Sequence, residues 1–355
     1  MKGLILSGGY GTRLRPLTYS QQKQLIPVGN KPILFYAIED VIEAGVKDIG
    51  IIVGPNKEQV IEMVRSKKWG ANIEFIYQPE PKGLAHAIIV AEEYLNNEAF
   101  VMYLGDNILK EGIAEHVNDF IKSKAEASIL LTEVPNPEEF GIAQLNEKNE
   151  IVKLIEKPKK PPSNFAVIGI YMFRPAIFKA VKEIKPSWRN QLEIVDAIQW
   201  LIDNGYKVKS SFVKGWWKDT GKPEDIIHAN RLVLDEIEET KNFGVLKNSK
   251  INGRVIIEKN AIIENSLVKG PAIIGENSKI VKSYIGPYMS IGNNCEILDT
   301  EIEDSVIMEG TKIKGVGRIT ESLIGKNVKI VKNNDLPRGH KLIVGDNSEV
   351  KVMVK

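Results

Sequence analysis

Isoleucine recurs at positions 257, 262, 274, 280, 285, 291, 297, 302, 307, 313, 319, 324 and 330, at intervals that are almost all five or six residues. Gly, Asn and Asp cluster between them, as in Ile285-Gly-Pro-Tyr-Met-Ser-Ile291-Gly-Asn-Asn-Cys-Glu-Ile297. An amphipathic helix repeats its apolar residues every three or four positions and a half-buried strand every two, so neither produces this spacing. A short flat strand with one inward aliphatic, then a sharp turn, repeated three times per coil, does produce it. Four to six such coils are expected.

That pattern resembles the hexapeptide repeats of left-handed parallel β-helices, and it places a domain of this kind over residues 241–355. Upstream the rule is different. Short apolar runs at 3–6, 48–53, 72–77, 100–104 and 128–134 read as buried strands, and helical spacing appears between them at 32–44, 57–66, 84–95 and 113–122. This alternation implies an α/β domain with a mostly parallel sheet and helices on both faces. A hairpin over 142–156, a strand over 167–173 and a bridging helix near 224–239 complete a first domain over residues 1–240. Two domains also suit a chain of 355 residues, which exceeds what one core usually fills. With 48 Lys+Arg against 46 Asp+Glu, the charge gives no case for nucleic acid or an anionic membrane as partner. The lone Cys295 can form neither an intrachain disulfide nor a metal cluster, and no apolar run approaches the ~20 residues a bilayer needs. A cytoplasmic location is expected.

The first strand runs into Leu6-Ser7-Gly8-Gly9-Tyr10-Gly11-Thr12-Arg13-Leu14. Glycines let backbone N–H groups wrap an anion without Cβ obstruction, and Arg13 adds a forked cationic donor. The loop lacks the Gly-Lys-Ser/Thr of a P-loop and the glycine spacing of a dinucleotide fingerprint. Alone, it reads equally well as an ordinary strand–helix turn. Lys23, in Gln21-Gln22-Lys23-Gln24-Leu25-Ile26-Pro27, would by itself be a solvated surface charge. Its place between the glycine loop and Pro27 suits a second phosphate contact. Asp106, in Leu104-Gly105-Asp106-Asn107, follows a strand at the carboxyl edge of the sheet, where open α/β sheets bind ligands. Asp219, in Trp217-Lys218-Asp219-Thr220-Gly221, supplies a second carboxylate. One such aspartate is usually a cap or turn former, whereas two beside a polyphosphate site suit Mg²⁺.

Together these segments resemble the sugar-1-phosphate nucleotidyltransferases, whose pattern Gly-Gly-x-Gly-Thr-Arg-Leu-x-Pro-x-Thr, then Lys-x-Leu/Ile-x-Pro, is matched here through Pro16, Thr18 and Lys23. Gln78-Pro79-x-Pro81-x-Gly83-Leu84-Ala85, Phe140-Gly141, Glu156-Lys157-Pro158, Val167-x-Gly169-Ile170-Tyr171 and Gln191-Leu192-Glu193-Ile194 are most similar to the glucose-1-phosphate thymidylyltransferases. The similarity covers roughly residues 1–235. Gln21-Gln22, Val195 and Lys218 depart from the family pattern.

The resemblance implies a Rossmann-like nucleotidyltransferase domain with a mixed, mostly parallel sheet. It also implies transfer of a nucleotidyl group from dTTP to glucose 1-phosphate, with Mg²⁺ as cofactor. On that reading Gly8, Gly9, Gly11, Thr12 and Arg13 hold the triphosphate, and Lys23 contacts it near the α-phosphorus. Asp106 and Asp219 bind the metal, and Lys157 neutralises the sugar phosphate, so Arg13, Lys23 and Lys157 are the catalytic cations. Gln24, Gln78 and the Gly83 backbone read the base. Asn107, Gly141, Glu156, Val167, Tyr171 and Trp217 complete the sugar-phosphate site.

UTP is the alternative nucleotide, because thymine and uracil share one imide edge. Bifunctional relatives join a uridylyltransferase to a β-helix acetyltransferase. That chemistry generally takes a histidine base in the coils, and His86, His116, His228 and His340 all lie outside residues 255–330. A non-catalytic regulatory subunit would be expected to lose members of the Arg13, Lys23, Asp106, Asp219 set, and all four are present. The β-helix is expected to assemble the chain into a homo-oligomer, with a trimer favoured by the resemblance.

Overall fold

A computed structural model describes residues 1–333 and 340–351. It divides into two compact units: Met1–Tyr10 with Ile33–Asp219, and Gly11–Pro32 with Thr220–Lys355. The second therefore takes in residues on both sides of position 240.

In the first unit, strand Lys2–Ser7 is buried along almost all its length. It pairs in parallel with Asp48–Val53 on one side and Phe100–Leu104 on the other, and Asn72–Tyr77 extends the sheet beyond Asp48–Val53. Strands covered on both faces need aliphatics at successive positions rather than alternation, as Ile49, Ile51, Ile52 and Val53 illustrate. Phe165–Phe173 runs antiparallel to Phe100–Leu104 and to Ala127–Glu133, and Val208–Phe212 adds a parallel edge. The expected hairpin is Gly141–Leu145 with Ile151–Glu156, joined to the sheet where Ala166 faces Ile142. The result is a mixed nine-stranded sheet. Helices Ile33–Glu43, Lys57–Arg65 and Ala114–Lys122 fall between strands as the periodicity requires. The single helix expected over 84–95 is instead Leu84–Val90 and Glu92–Leu95, broken where Ala91 leaves helical geometry at ψ 4°. Phe100 anchors the core, with the rings of Phe173 and Phe178 at 5.5 and 6.0 Å. Burial of each large apolar side chain of this kind contributes about 1.5–3 kcal/mol. Among the described residues no helix is long and apolar enough to cross a membrane.

The second unit is a parallel β-helix whose chain visits three sheets in rotation, with six strands in two of them and five in the third among the described residues. The coil number thus sits at the top of the expected range. One inward column runs Ile257, Ile274, Ile291, Ile307, Ile324. A second runs Ile263, Ile280, Ile297, Ile313, Ile330, and the third Val268, Ile285, Ile302, Ile319. This corrects the isoleucine series at one point: Ile262 is half-exposed, while Ile263 and Val268 are buried. Successive strand residues face opposite ways, so only one of the 262/263 pair can point inward, and pairing with Ile280 selects Ile263. The asparagines between the aliphatics have a structural reason. Asn248, Asn260, Asn265, Asn277, Asn294 and Asn327 take φ between 46° and 61°, the left-handed region that Asn tolerates better than other side chains.

Inside the coils a hydroxyl ladder spans turns: the Ser283 N–H donates to Ser266 Oγ, and the Thr300 N–H to Ser283 Oγ, each step seventeen residues long. The next step, Val316 N–H to Thr300 Oγ1, spans sixteen. Helix Pro223–Asp235 packs in this unit through Asn230, which is 1% exposed. Its Oδ1 accepts from the Gly29 N–H at 2.9 Å and the Ser290 hydroxyl at 2.6 Å, and its Nδ2 donates to the Tyr288 carbonyl at 3.2 Å. Asn30 donates to the Ile291 carbonyl at 2.6 Å. The early segment Gly11–Pro32 is thereby fastened to the coil at 288–291.

Candidate active site

Strand Lys2–Ser7 delivers the glycine loop. A Cβ on Gly8 would lie 3.2 Å from Gln78 Oε1, so the glycine lets that amide approach the loop backbone. Gly9 is exposed, as are Thr12 and Arg13. Gly11 caps the short helix Thr12–Leu14 with φ 61°. A Cβ there would lie 3.0 Å from both Lys23 Cβ and Thr18 Cγ2, and the Thr18 hydroxyl donates to the Gly11 carbonyl at 2.8 Å. Gly11 therefore meets both a steric and a conformational demand, and it brings Thr18 and Lys23 against the loop. Lys23 and Gln24 are 7% and 4% exposed. Gln22 Nε2 donates to Gln24 Oε1 at 3.1 Å, which fixes the Gln24 amide.

The segment that carries Gln78 is equally constrained. Gln78 is 4% exposed, and its Nε2 lies 2.8 Å from His86 Nδ1. Burial, and then the Lys82 charge, hold the His86 imidazolium below its ordinary range, against a smaller opposing pull from Glu80. Gly83 takes φ 108°, and a Cβ on it would run into the Leu192 carbonyl oxygen. That carbonyl accepts from the Ala85 N–H at 3.0 Å, and the Leu192 N–H donates to the Lys82 carbonyl at 2.8 Å. These bonds bring the Gln191-Leu192-Glu193 motif against the start of helix Leu84–Val90.

Asp106 lies in the turn that leads into strand Asn107–Leu109, and Asp219 ends the strand paired with it. Asn107–Leu109 and Trp217–Asp219 run antiparallel with Asp219 directly opposite Asn107. Asn107 is 2% exposed, and its side chain is a junction. Its Nδ2 donates to Asp106 Oδ1 at 3.0 Å, and its Oδ1 accepts from the Trp217 indole N–H at 2.7 Å and the Gly169 N–H at 3.3 Å. Trp217 in turn packs edge-on to Phe140 at 5.6 Å. One amide thus holds the Asp106 carboxylate and the indole in register with Asp219. Two carboxylate oxygen donors fit Mg²⁺, which commonly takes one or two carboxylates together with substrate phosphates.

Glu156 and Gly141 face each other across the hairpin. A Cβ on Gly141 would lie 2.8 Å from Val195 Cγ2 and 3.2 Å from Glu156 Oε2, so glycine leaves room for the carboxylate. Arg189 donates to Glu156 at 3.0 Å and lies 3.6 Å from Glu193, whose carboxylate also accepts from the Ser187 hydroxyl at 2.8 Å. Burial, and then the negative charge of Glu193, raise the Glu156 carboxyl above its usual range, partly offset by Lys157 and Arg189. Lys157 is held at φ 42° by its N–H bond to the Phe140 carbonyl at 3.0 Å. Val167 and Tyr171 are 6% and 3% exposed and belong to the hydrophobic core, where Tyr171 stacks on Phe173.

The family model for nucleotidyl transferases matches residues 2–236, and one described as the GMPPB C-terminal domain matches residues 268–355. The chain belongs to the nucleotidyl transferase family. It is 48% identical to the low-salt glycan biosynthesis nucleotidyltransferase of Haloferax volcanii over 99% of this chain and 100% of that protein. It is 45% identical to a glucose-1-phosphate thymidylyltransferase of Streptomyces antibioticus over 99% of each. Among solved structures, a putative glucose-1-phosphate thymidylyltransferase from Bacillus anthracis in complex with sucrose superposes with a TM-score of 0.62 at 35% identity. That match covers 68% of this chain and 98% of the other.

Three residues that contact the candidate site residues were not singled out by their sequence context. Arg189 sits two residues before the Gln191-Leu192 motif, in a loop whose only signal was its neighbour. Gln22 read as a departure from the family pattern, and His86 only as a residue that follows the base-binding segment inside a helical stretch. Arg189 meets Glu156 from 33 positions away and His86 meets Gln78 from eight, contacts that spacing does not reveal.

Proposed function

We propose that this nucleotidyltransferase transfers a thymidylyl group from dTTP to glucose 1-phosphate, giving dTDP-glucose and pyrophosphate. The observation that carries the reading is the Asp106–Asn107–Asp219 arrangement, in which the buried Asn107 amide holds the Asp106 carboxylate and Asp219 stands opposite Asn107 on the paired strand. The name of the Streptomyces relative supports the choice of sugar phosphate and nucleotide.

An oxygen of the sugar phosphate attacks the α-phosphorus, the bond from that phosphorus to the bridging oxygen breaks, and pyrophosphate leaves. The attacking oxygen is already anionic, so neither a protein nucleophile nor a general base is required. The protein's task is alignment and charge neutralisation. Arg13 and Lys23 hold the triphosphate along the glycine loop, and Lys157 holds the sugar phosphate. Glu156 and the Gly141 backbone bind sugar hydroxyls beside Asn107, Val167, Tyr171 and Trp217. Gln24, Gln78 and Gly83 read the base. Asp106 and Asp219 would hold Mg²⁺, which would supply positive charge between the two polyanions.

The test is pyrophosphate release with dTTP, UTP, CTP, GTP and ATP, each against several sugar 1-phosphates. The reading expects the highest kcat/KM for dTTP with glucose 1-phosphate. A preference for UTP would replace it with uridylyl transfer, and release independent of any sugar phosphate would overturn it.

A further inference from the structure

We propose that His86 is a specificity-determining residue: by accepting a hydrogen bond from Gln78 Nε2 it fixes the Gln78 amide so that its oxygen faces the glycine loop, and the site then reads an imide base and rejects cytosine. The inference rests on the assignment of Gln78 as a base contact. A glutamine amide is nearly symmetric in shape and opposite in chemistry at its two ends, with an acceptor oxygen and a donor NH₂. An unrestrained one can turn over, and would meet the N3–H of thymine or uracil as readily as the bare N3 of cytosine. Discrimination between those bases requires something that holds the amide one way round.

In this protein Gln78 Nε2 lies 2.8 Å from His86 Nδ1. Its Oε1 is turned to the loop, within 3.2 Å of where a Gly8 Cβ would stand. Gln78 is 4% exposed, so bulk water is not at hand to satisfy a reversed amide. Imidazole Nδ1 accepts only when the ring is neutral with its proton on Nε2. Several features favour the neutral ring. His86 is half-buried in the first turn of helix Leu84–Val90, and burial disfavours an added charge on its ring. Of the charges that bear on the ring, Lys82 opposes protonation and Glu80 favours it, and these two pair with each other at 2.9 Å. With one N–H of Nε2 committed to His86, Gln78 keeps its oxygen and a second N–H. Those two groups complement the N3–H and O4 of an imide. Cytosine presents the reverse pattern and would leave buried polar atoms unpaired.

The test uses the full-length protein and the ratio of kcat/KM for dTTP to that for dCTP with one sugar 1-phosphate. Because the ratio is taken within each variant, a general loss of activity cancels. His86→Leu, which removes the acceptor, should lower the ratio by about tenfold or more. His86→Asp, which restores an acceptor, should return it toward the starting value. In the unsubstituted protein the ratio should also fall between about pH 8 and about pH 5 as the imidazole gains a proton, and it should stay flat for His86→Leu. An unchanged ratio in His86→Leu would overturn the inference, as would a wild-type protein indifferent to thymine and cytosine. Equilibrium binding of dTTP and dCTP supplies the same ratio without turnover. Absence of turnover would therefore sink the transferase reading while binding still decides the role of His86.

Discussion

Trp217→Phe isolates the Asn107 junction. The substitution keeps an aromatic ring against Phe140 and removes the five-membered half of the indole, with the N–H that donates to Asn107 Oδ1 at 2.7 Å. The oxygen keeps one partner, the Gly169 N–H, at the long distance of 3.3 Å. A buried carbonyl left half-satisfied costs about 1–2 kcal/mol, the lower part of the range for a lost buried partner. Asn107 then loses the constraint that aims its amide at Asp106 Oδ1. If that loss is felt in the transition state, turnover falls about tenfold, since each tenfold corresponds to about 1.4 kcal/mol. Asn107→Ala removes the whole junction and should cost about a hundredfold. The informative assay is the double variant, with kcat measured at saturating substrates and Mg²⁺. If the indole acts on Asp106 through Asn107, the pair should fall about a hundredfold, little further than Asn107→Ala alone. A fall to the product of the two single effects, about a thousandfold, would refute the argument.

Asp106→Asn and Asp219→Asn should each lower turnover by orders of magnitude with little change in thermal unfolding, and near-normal rates in saturating Mg²⁺ would remove both from the metal site. The raised carboxyl of Glu156 means that the native protein keeps this proton to higher pH than the unfolded chain does, so its contribution to stability falls as pH rises through that window. If the ionised form accepts sugar hydroxyls, the KM for sugar phosphate should rise as pH falls through the same window, and Glu156→Gln should abolish that dependence; a persisting slope would assign it elsewhere. A fragment ending at Thr240 would lack the Tyr288, Ser290 and Ile291 partners of Asn230 and Asn30. It should melt lower and bind triphosphate weakly, as read by thermal shift and calorimetry, and full binding by the fragment would show that Gly11–Pro32 holds its shape unaided.

The β-helix was legible because its repeat forces one aliphatic inward per strand, and the pattern failed only where Ile262 and Ile263 stand side by side. The choice between them lies in inter-coil pairing, which a linear count does not contain. The strands of the first unit were legible from their apolar runs, and the glycine loop, Asp106, Asp219 and the Glu156–Lys157 pair from motif order. Side-chain junctions were not. Nothing in the spacing of Asn107 and Trp217 signals that one amide serves both an indole and a carboxylate. Nor does sequence order reveal that Gly11–Pro32 is held by coil residues more than 250 positions away, as the bond between Asn30 and Ile291 illustrates at a separation of 261.

The hydroxyl ladder inside the β-helix acts as a ruler for how such a chain can lengthen. Each Ser or Thr accepts the backbone N–H of the residue one coil ahead, so a tandem duplication of seventeen residues reproduces every bond and leaves each inward column in phase. A deletion of one residue shifts the following aliphatics relative to the column beneath them. The sixteen-residue step between Thr300 and Val316 shows that the chain absorbs one such shortening when it is taken up at a corner between strands. A stack of this kind therefore lengthens without disruption only in steps of whole coils, and a single-residue change is accommodated at a turn.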